Sequence, residues 1–136
     1  MTTARDIMTP GADHVTASTT VLEVAKKLAS EDVGSVPICD GDRLQGMITD
    51  RDIVVKVLAE GKDPASTTVG ELAQGEVVTI GADDPVEEIS RTMAQYQVRR
   101  LPVIDGQKLV GMVAQADLAR TGKDGTTGDT VEAISQ

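Results

Sequence analysis

The sequence predicts an α+β (α/β-like) fold built from two pseudo-symmetric repeats, each with the element order β-α-β-β-α. The first observation is an internal duplication: residues 4–56 align with residues 69–121 at a constant shift of 65 positions and without a gap. The second is an Asp-Gly turn between two short apolar runs in each copy, which is typical of a β-hairpin. The third is that apolar residues before each hairpin recur with the 3.6-residue period of an α-helix. A gapless match over several kinds of element indicates two copies of one folding unit.

The elements predicted for the first copy follow from local signals. Residues 9–13 include a proline and a glycine, which interrupt regular structure and indicate a loop. Thr19 or Thr20 can cap the helix that follows, and Pro37 gives the next strand an irregular start. Val21, Val24, Ala25 and Leu28 fall on one face of that helix. In chain order the elements are a helical turn at 4–8, the loop, a short strand at 14–16, the helix, strands at 33–39 and 44–49, and a helix at 50–58.

The second copy repeats this order after a linker. Its predicted elements are a turn at 70–73, a strand at 77–80, a helix that starts at Pro85 and ends near Tyr96, strands at 98–104 and 109–114, and a helix from 116 to about 120. Proline suits the first turn of a helix. The resulting boundaries are 1–61 for the first repeat, 62–68 for the linker, 69–121 for the second repeat and 122–136 for a flexible tail. Val131 and Ile134 are three residues apart and favour a short helix in that tail.

The composition argues against a nucleic-acid-binding protein and against a membrane protein. The 136 residues carry a net charge of −9 and include one tyrosine but no phenylalanine or tryptophan. An acidic chain is repelled by nucleic acid and by anionic membranes, and it lacks the aromatic side chains on which unpaired bases stack. No apolar run approaches the roughly 20 residues needed to span a bilayer, and the first residues do not form a signal peptide. With a single cysteine as well, we expect a cytoplasmic protein without a disulfide.

Two interpretations of Thr49 and Asp52 stay open. A threonine followed three residues later by a carboxylate can form a capping box at a helix start. The same geometry suits a ligand, because free amides at a helix start attract phosphate and a carboxylate one turn along can accept ribose hydroxyls. The second copy has Ala114 and Asp117 at these positions, so it keeps the carboxylate and loses the hydroxyl.

The motifs resemble those of a known family. The order Val36-Pro37-Ile38 and then Gly46 to Ile53 resembles a cystathionine-β-synthase (CBS) domain, and so does Leu101-Pro102-Val103 with Gly111 and Asp117. Two such domains in tandem resemble a CBS pair, or Bateman module, and no catalytic or DNA-binding domain is attached to the pair. The resemblance implies that Thr49 contacts phosphate and Asp52 contacts ribose. The full set of candidate nucleotide-binding residues is Val36, Pro37, Thr49, Arg51, Asp52, Arg99, Arg100, Leu101, Pro102 and Asp117. Arg99 and Arg100 are included because the guanidinium fork suits phosphate and can compensate in part for the lost hydroxyl, and the alternative is that they pair with acidic side chains at the surface.

These observations predict a regulatory, ligand-sensing module rather than an enzyme. We expect it to bind AMP, ADP or ATP in a cleft between the repeats, with Asp52 more important than Asp117, and to modulate an unidentified protein partner. No cofactor is required, and no metal site is expected because His14 is the single histidine and Cys39 is a small buried hydrophobe. A homodimer is expected through helix faces that include Ile53, Val57, Ile89 and Met93. The alternative is a non-catalytic, stress-associated interaction protein with vestigial clefts and no nucleotide.

Overall fold

A computed structural model describes residues 1–73 and 77–120. The elements are α1 (Ala4–Ile7), β1 (Thr9–Pro10), α2 (Val21–Glu31), β2 (Ser35–Asp40), β3 (Arg43–Thr49), α3 (Asp50–Ile53) with a π-helical turn at Val54–Leu58, a 3₁₀ turn at Val69–Glu71, β4 (Ile80–Gly81), α4 (Val86–Tyr96), β5 (Arg100–Asp105), β6 (Lys108–Ala114) and α5 (Gln115–Ala119). The mixed α+β fold predicted from the sequence is confirmed. The tail predicted at 122–136 and its short helix lie outside the described residues.

The chain forms two compact units whose boundaries differ from those of the sequence repeats. The continuous unit is Asp13–Val77. The split unit combines Met1–Ala12 with the chain from Val78 onward. The first twelve residues therefore belong to the unit that holds the second repeat.

The continuous unit is built on the antiparallel hairpin of β2 and β3. Asp40 pairs with Arg43, so the loop holds two residues, and Gly41 adopts the left-handed φ of +63° that such a loop requires. The start of α2 is capped by Thr20, whose hydroxyl accepts the N–H of Glu23 at 3.2 Å. The fully buried aliphatic side chains of this unit are Val21, Val24, Ile38, Ile48, Val57 and Val69.

The strand predicted at 14–16 is reduced to one residue. Val15 pairs in parallel with Ile38, donating its N–H to Pro37 and accepting that of Cys39. Thr16 then leaves the strand direction, because its N–H bonds to the hydroxyl of Thr19 in a local turn.

The split unit has a hairpin of β5 and β6, with β4 parallel to β5. The loop predicted at 9–13 is wrong for its first two residues, because Thr9–Pro10 forms β1 and pairs antiparallel with β6. Proline is tolerated at the edge of a sheet, where its missing N–H leaves no ladder bond unmade. The strand predicted at 77–80 is also shorter, since only Ile80–Gly81 pairs with β5. Asp84 ends it by accepting the N–H of Gly81 at 2.8 Å.

The helix residues proposed as a dimer surface are core residues. Ile53 is 8% exposed, and Val57, Ile89 and Met93 are fully buried inside their own units. Each unit needs those side chains because it has no buried aromatic residue to fill its interior. The exposed apolar side chains of α3 and its π-helical turn are instead Val54, Val55 and Leu58.

Candidate functional site

Thr49 and Asp52 form a complete capping box where β3 leads into α3. The Thr49 hydroxyl accepts the N–H of Asp52 at 3.1 Å, and Asp52 Oδ2 accepts the N–H of Thr49 at 3.0 Å. The other carboxylate oxygen of Asp52 lies 3.3 Å from Nζ of Lys56. A threonine cap of this kind contributes about 1 kcal/mol to stability. The structural role of the motif is therefore satisfied within the chain.

Asp117 occupies the matching position in the second repeat and is more deeply buried, with 7% of its surface exposed. Its Oδ2 accepts the N–H of Ala114 at 2.7 Å, which preserves half of the capping box. Its Oδ1 is paired with the guanidinium of Arg120, three residues later. The first repeat has Val55 at the position that corresponds to Arg120. The two carboxylates thus accept equivalent backbone hydrogen bonds. They differ in their cations, since Asp52 pairs with a lysine four residues later and Asp117 with an arginine three residues later.

A cavity of about 500 Å³ opens beside Asp117 in the split unit. Its lining residues are Thr2, Asp6, Ile7, Met8, Asp117 and Arg120. Four of the six come from the first eight residues of the chain, which belong to the first repeat in sequence and to the split unit in space. The sequence analysis identified only Asp117 among them. No motif marks the others, because their proximity to Asp117 arises from tertiary packing alone.

Asp6 is the second carboxylate at this cavity. The backbone N–H and the hydroxyl of Thr3 donate to its Oδ2 at 2.8 and 3.1 Å. These two hydrogen bonds hold the pKa of Asp6 below its usual value, so the group is anionic at neutral pH. Among the described residues, the lining therefore carries two carboxylates and the one guanidinium of Arg120.

The continuous unit has a smaller cavity at the corresponding place, with a volume of about 210 Å³. It is lined by Lys56, Glu60, Lys62, Glu71 and Leu72. Glu71 and Leu72 are the counterparts of Asp6 and Ile7 at the shift of 65 residues. Asp52 is not among the lining residues. The two repeats therefore differ both in the volume of the cavity and in the residues that line it.

The remaining predicted site residues fall into two groups. Val36, Pro37, Leu101 and Pro102 are buried in β2 and β5. The arginines lie nearer to solvent: Arg51 on α3 and Arg99 before β5 are exposed, while Arg100 is half-buried. None of these seven residues lines either cavity. The structure places Val36, Pro37, Thr49, Arg51 and Asp52 in the continuous unit, and Arg99, Arg100, Leu101, Pro102 and Asp117 in the split unit.

Within residues 1–73 and 77–120, no group of three or more histidine, cysteine, aspartate or glutamate side chains is arranged to hold a metal ion. Cys39 is buried in β2, and its burial raises the pKa of the thiol, which agrees with a packing role. In the same part of the chain, no helix has the length and apolarity to cross a bilayer.

Comparison with known proteins identifies the repeats. A sequence model of the CBS domain matches residues 4–59 and 69–124. Hypoxic response protein 1 of Mycobacterium tuberculosis is 48% identical over 121 residues, which cover 88% of this chain and 85% of that protein. The CBS domain-containing protein YhcV of Bacillus subtilis is 39% identical over 119 residues, covering 88% of this chain and 84% of that protein.

Solved structures agree with this result. The crystal structure of Hypoxic Response Protein I, which has two coordinated zinc ions, superposes with a TM-score of 0.81 over 89% of this chain and 99% of that one, at 48% identity. The crystal structure of CBSX2 in complex with AMP shares the fold with a TM-score of 0.77 at 24% identity, over 91% of this chain and 98% of that one. The chain therefore belongs to the CBS-domain family and carries two copies of the domain in tandem.

Proposed function

We propose that this chain is a non-catalytic regulatory module that binds an adenosine-containing nucleotide and thereby modulates a partner protein. The observation that carries the proposal is the cavity of about 500 Å³ beside Asp117. Its volume falls in the range of about 300–1,000 Å³ that is typical of small-molecule sites. A protein of the same fold has been crystallised in complex with AMP, which supports this class of ligand.

The side chains at the cavity suit the parts of a nucleotide. An ionised carboxylate offers about four acceptor positions. Asp117 uses one for Ala114 and one for Arg120, so two remain for the hydroxyls of a ribose. Ile7 and Met8 supply apolar surface for a base, and Arg120 supplies a cation for phosphate.

The cavity favours Asp117 over Asp52 as the ribose ligand. The sequence alone favours Asp52, because that repeat keeps the threonine of the motif. In the structure Asp52 does not line the smaller cavity of its unit, although the Thr49 hydroxyl, which accepts the capping N–H, can still donate its own hydrogen.

We expect Asp117→Asn to weaken nucleotide binding at least tenfold and Asp52→Asn to leave it nearly unchanged. Asparagine still accepts the capping N–H but cannot hold a ribose as an anion does. The measurement is isothermal titration calorimetry with adenosine, AMP and ATP, supported by the rise in melting temperature. At 100 times its dissociation constant a ligand stabilises the folded state by about 2.7 kcal/mol, which is readily detected.

The two variants are matched controls for each other, since both remove one carboxylate from a capping box. Urea unfolding of each verifies that the fold is retained. Loss of binding in Asp52→Asn alone would move the site to the continuous unit. Wild-type protein that binds none of the three ligands would contradict the proposed function and favour the interaction protein without a nucleotide.

We also propose that the module forms a homodimer. Val54, Val55 and Leu58 are 55%, 45% and 58% exposed and lie together on one turn of helix. An exposed apolar cluster of this kind is typical of an interaction surface. We expect light scattering to give the mass of a dimer at micromolar concentration and Leu58→Glu to give a monomer. Leu22→Glu, at another exposed leucine of the same unit, is the control and should stay dimeric; a monomeric wild-type chain would contradict the proposal.

A further inference from the structure

We infer that the cavity beside Asp117 selects an adenine nucleoside or nucleoside monophosphate over the corresponding triphosphate. This inference rests on the proposed function and adds that the site discriminates between nucleotides by their negative charge. It follows from which charged side chains line the cavity and from how each is already paired.

The lining has more negative than positive charge. Asp6 and Asp117 are carboxylates, and Arg120 is the one cation among the described residues of the lining. Asp6 is held in its anionic form by the two hydrogen bonds from Thr3. The N-terminal ammonium and Arg5 act on Asp6 through weaker Coulombic attraction than the hydrogen bonds of Thr3, so each phosphate beyond the first brings further negative charge toward Asp6 without reaching another cation among the described lining residues.

The guanidinium of Arg120 can bind one phosphate group. Its side chain is 71% exposed, and it is paired with Asp117, whose side chain is 10% exposed. When ribose hydroxyls occupy Asp117, the guanidinium can turn toward the ligand, where its planar fork matches a single phosphate group. The pairing with Asp117 also neutralises one carboxylate while the cavity is empty of ligand.

No other arginine of the split unit is placed to take a second phosphate at this lining. Arg5 is held by Asp83 at 3.4 Å and by Asp105 at 3.3 Å. Arg99 and Arg100 lie at the start of β5 and do not line the cavity. The smaller cavity of the continuous unit differs, since Lys56 and Lys62 there balance two glutamates.

The test is calorimetry of the full-length chain with adenosine, AMP and ATP, first in EDTA at low ionic strength. We expect AMP to bind about tenfold more tightly than ATP, and the difference to shrink when Mg²⁺ neutralises the phosphates or when salt is added. Asp6→Asn should improve ATP binding about threefold and leave adenosine unchanged. Arg120→Gln should weaken AMP binding by a similar factor and weaken adenosine binding less, because adenosine has no phosphate for the guanidinium.

Matched controls exist in the same unit. Asp83→Asn removes one negative charge away from the cavity, from a side chain that is 85% exposed. Arg91→Gln removes an arginine that pairs with Glu88 three residues earlier, as Arg120 pairs with Asp117. Both controls should leave the ratio of AMP to ATP affinity unchanged.

Two results would overturn the inference while leaving the proposed function intact. One is ATP binding as tightly as AMP in EDTA. The other is an equal effect of Asp6→Asn on ATP and on adenosine, which would mean that Asp6 only shapes the cavity. A chain that binds none of the three ligands would overturn the inference together with the proposed function.

Discussion

Removal of residues 1–12 is expected to unfold the split unit and to leave the continuous unit folded. Ala4 is fully buried in the core of the split unit, and β1 pairs with β6. The other backbone hydrogen bonds from this segment to the rest of its unit run from Ala4 N–H to Asp84, Arg5 N–H to Ala82, Val86 N–H to Thr2 and Gly11 N–H to Val110. Each of these hydrogen bonds contributes about 1 kcal/mol, and the truncation also exposes apolar surface of the core. The combined loss is comparable with the whole free energy of unfolding of a small domain, about 5–15 kcal/mol.

Hydrogen exchange measured by mass spectrometry separates the two units. In the truncated chain, amides in 101–118 should lose their protection while amides in 21–49 keep it. Arg5→Gln in the same chain without truncation is the control, since it removes only exposed ion pairs and should leave the protection of both units unchanged. Equal loss of protection in both units would contradict the assignment of the first twelve residues to the split unit.

Gly111→Ala is expected to destabilise the protein by about 1–3 kcal/mol, because β1 leaves no room for a side chain on β6. A Cβ atom at this position would lie 2.7 Å from the carbonyl oxygen of Thr9 and 2.5 Å from the sulfur of Met8. The methionine can rotate away, but the carbonyl is fixed by the pairing of β1 with β6. Relief therefore requires the two strands to separate.

Gly46→Ala is the matched variant, since Gly46 corresponds to Gly111 at the shift of 65 residues. A Cβ atom there would lie 3.2 Å from the Cβ of Ala73 and 3.9 Å from Cδ1 of Ile38, and it would have no backbone atom of residues 1–73 or 77–120 within 4 Å apart from its chain neighbours. Small adjustments can relieve this contact, so the cost should stay below about 1 kcal/mol. Urea unfolding midpoints measure both, and equal destabilisation would show that the β1 carbonyl is not the obstacle.

Local chemistry was sufficient to predict the hairpins and the main helices. Gly41 and Gly106 adopt φ values of +63° and +65° in the two hairpin loops, where a side chain would be strained. The helices α2 and α4 begin next to Thr20 and Pro85, as the capping signals indicate. Such features depend on residues that are neighbours in sequence, and therefore a single sequence reveals them.

Features that depend on distant contacts were missed. Thr9 and Pro10 form a strand only because Gly111 lets them approach, and the apolar stripe with Ile53 and Val57 turns inward because its own unit needs those side chains. The candidate site shows the same limit. Asp52 and Asp117 have similar local sequences and similar caps, and what distinguishes them is tertiary packing, because Asp117 lines the cavity of its unit and Asp52 does not.

The split unit has a consequence for synthesis on the ribosome. β1 ends at Pro10, and its partner β6 begins at Lys108, 98 residues later. At about 5–20 residues per second, the partner strand is made roughly 5–20 s after β1. The continuous unit can complete its core in that interval, while β1 has been synthesised but still lacks its partner. Residues 1–12 precede both hairpins in the chain and are thus among the last to reach their native place.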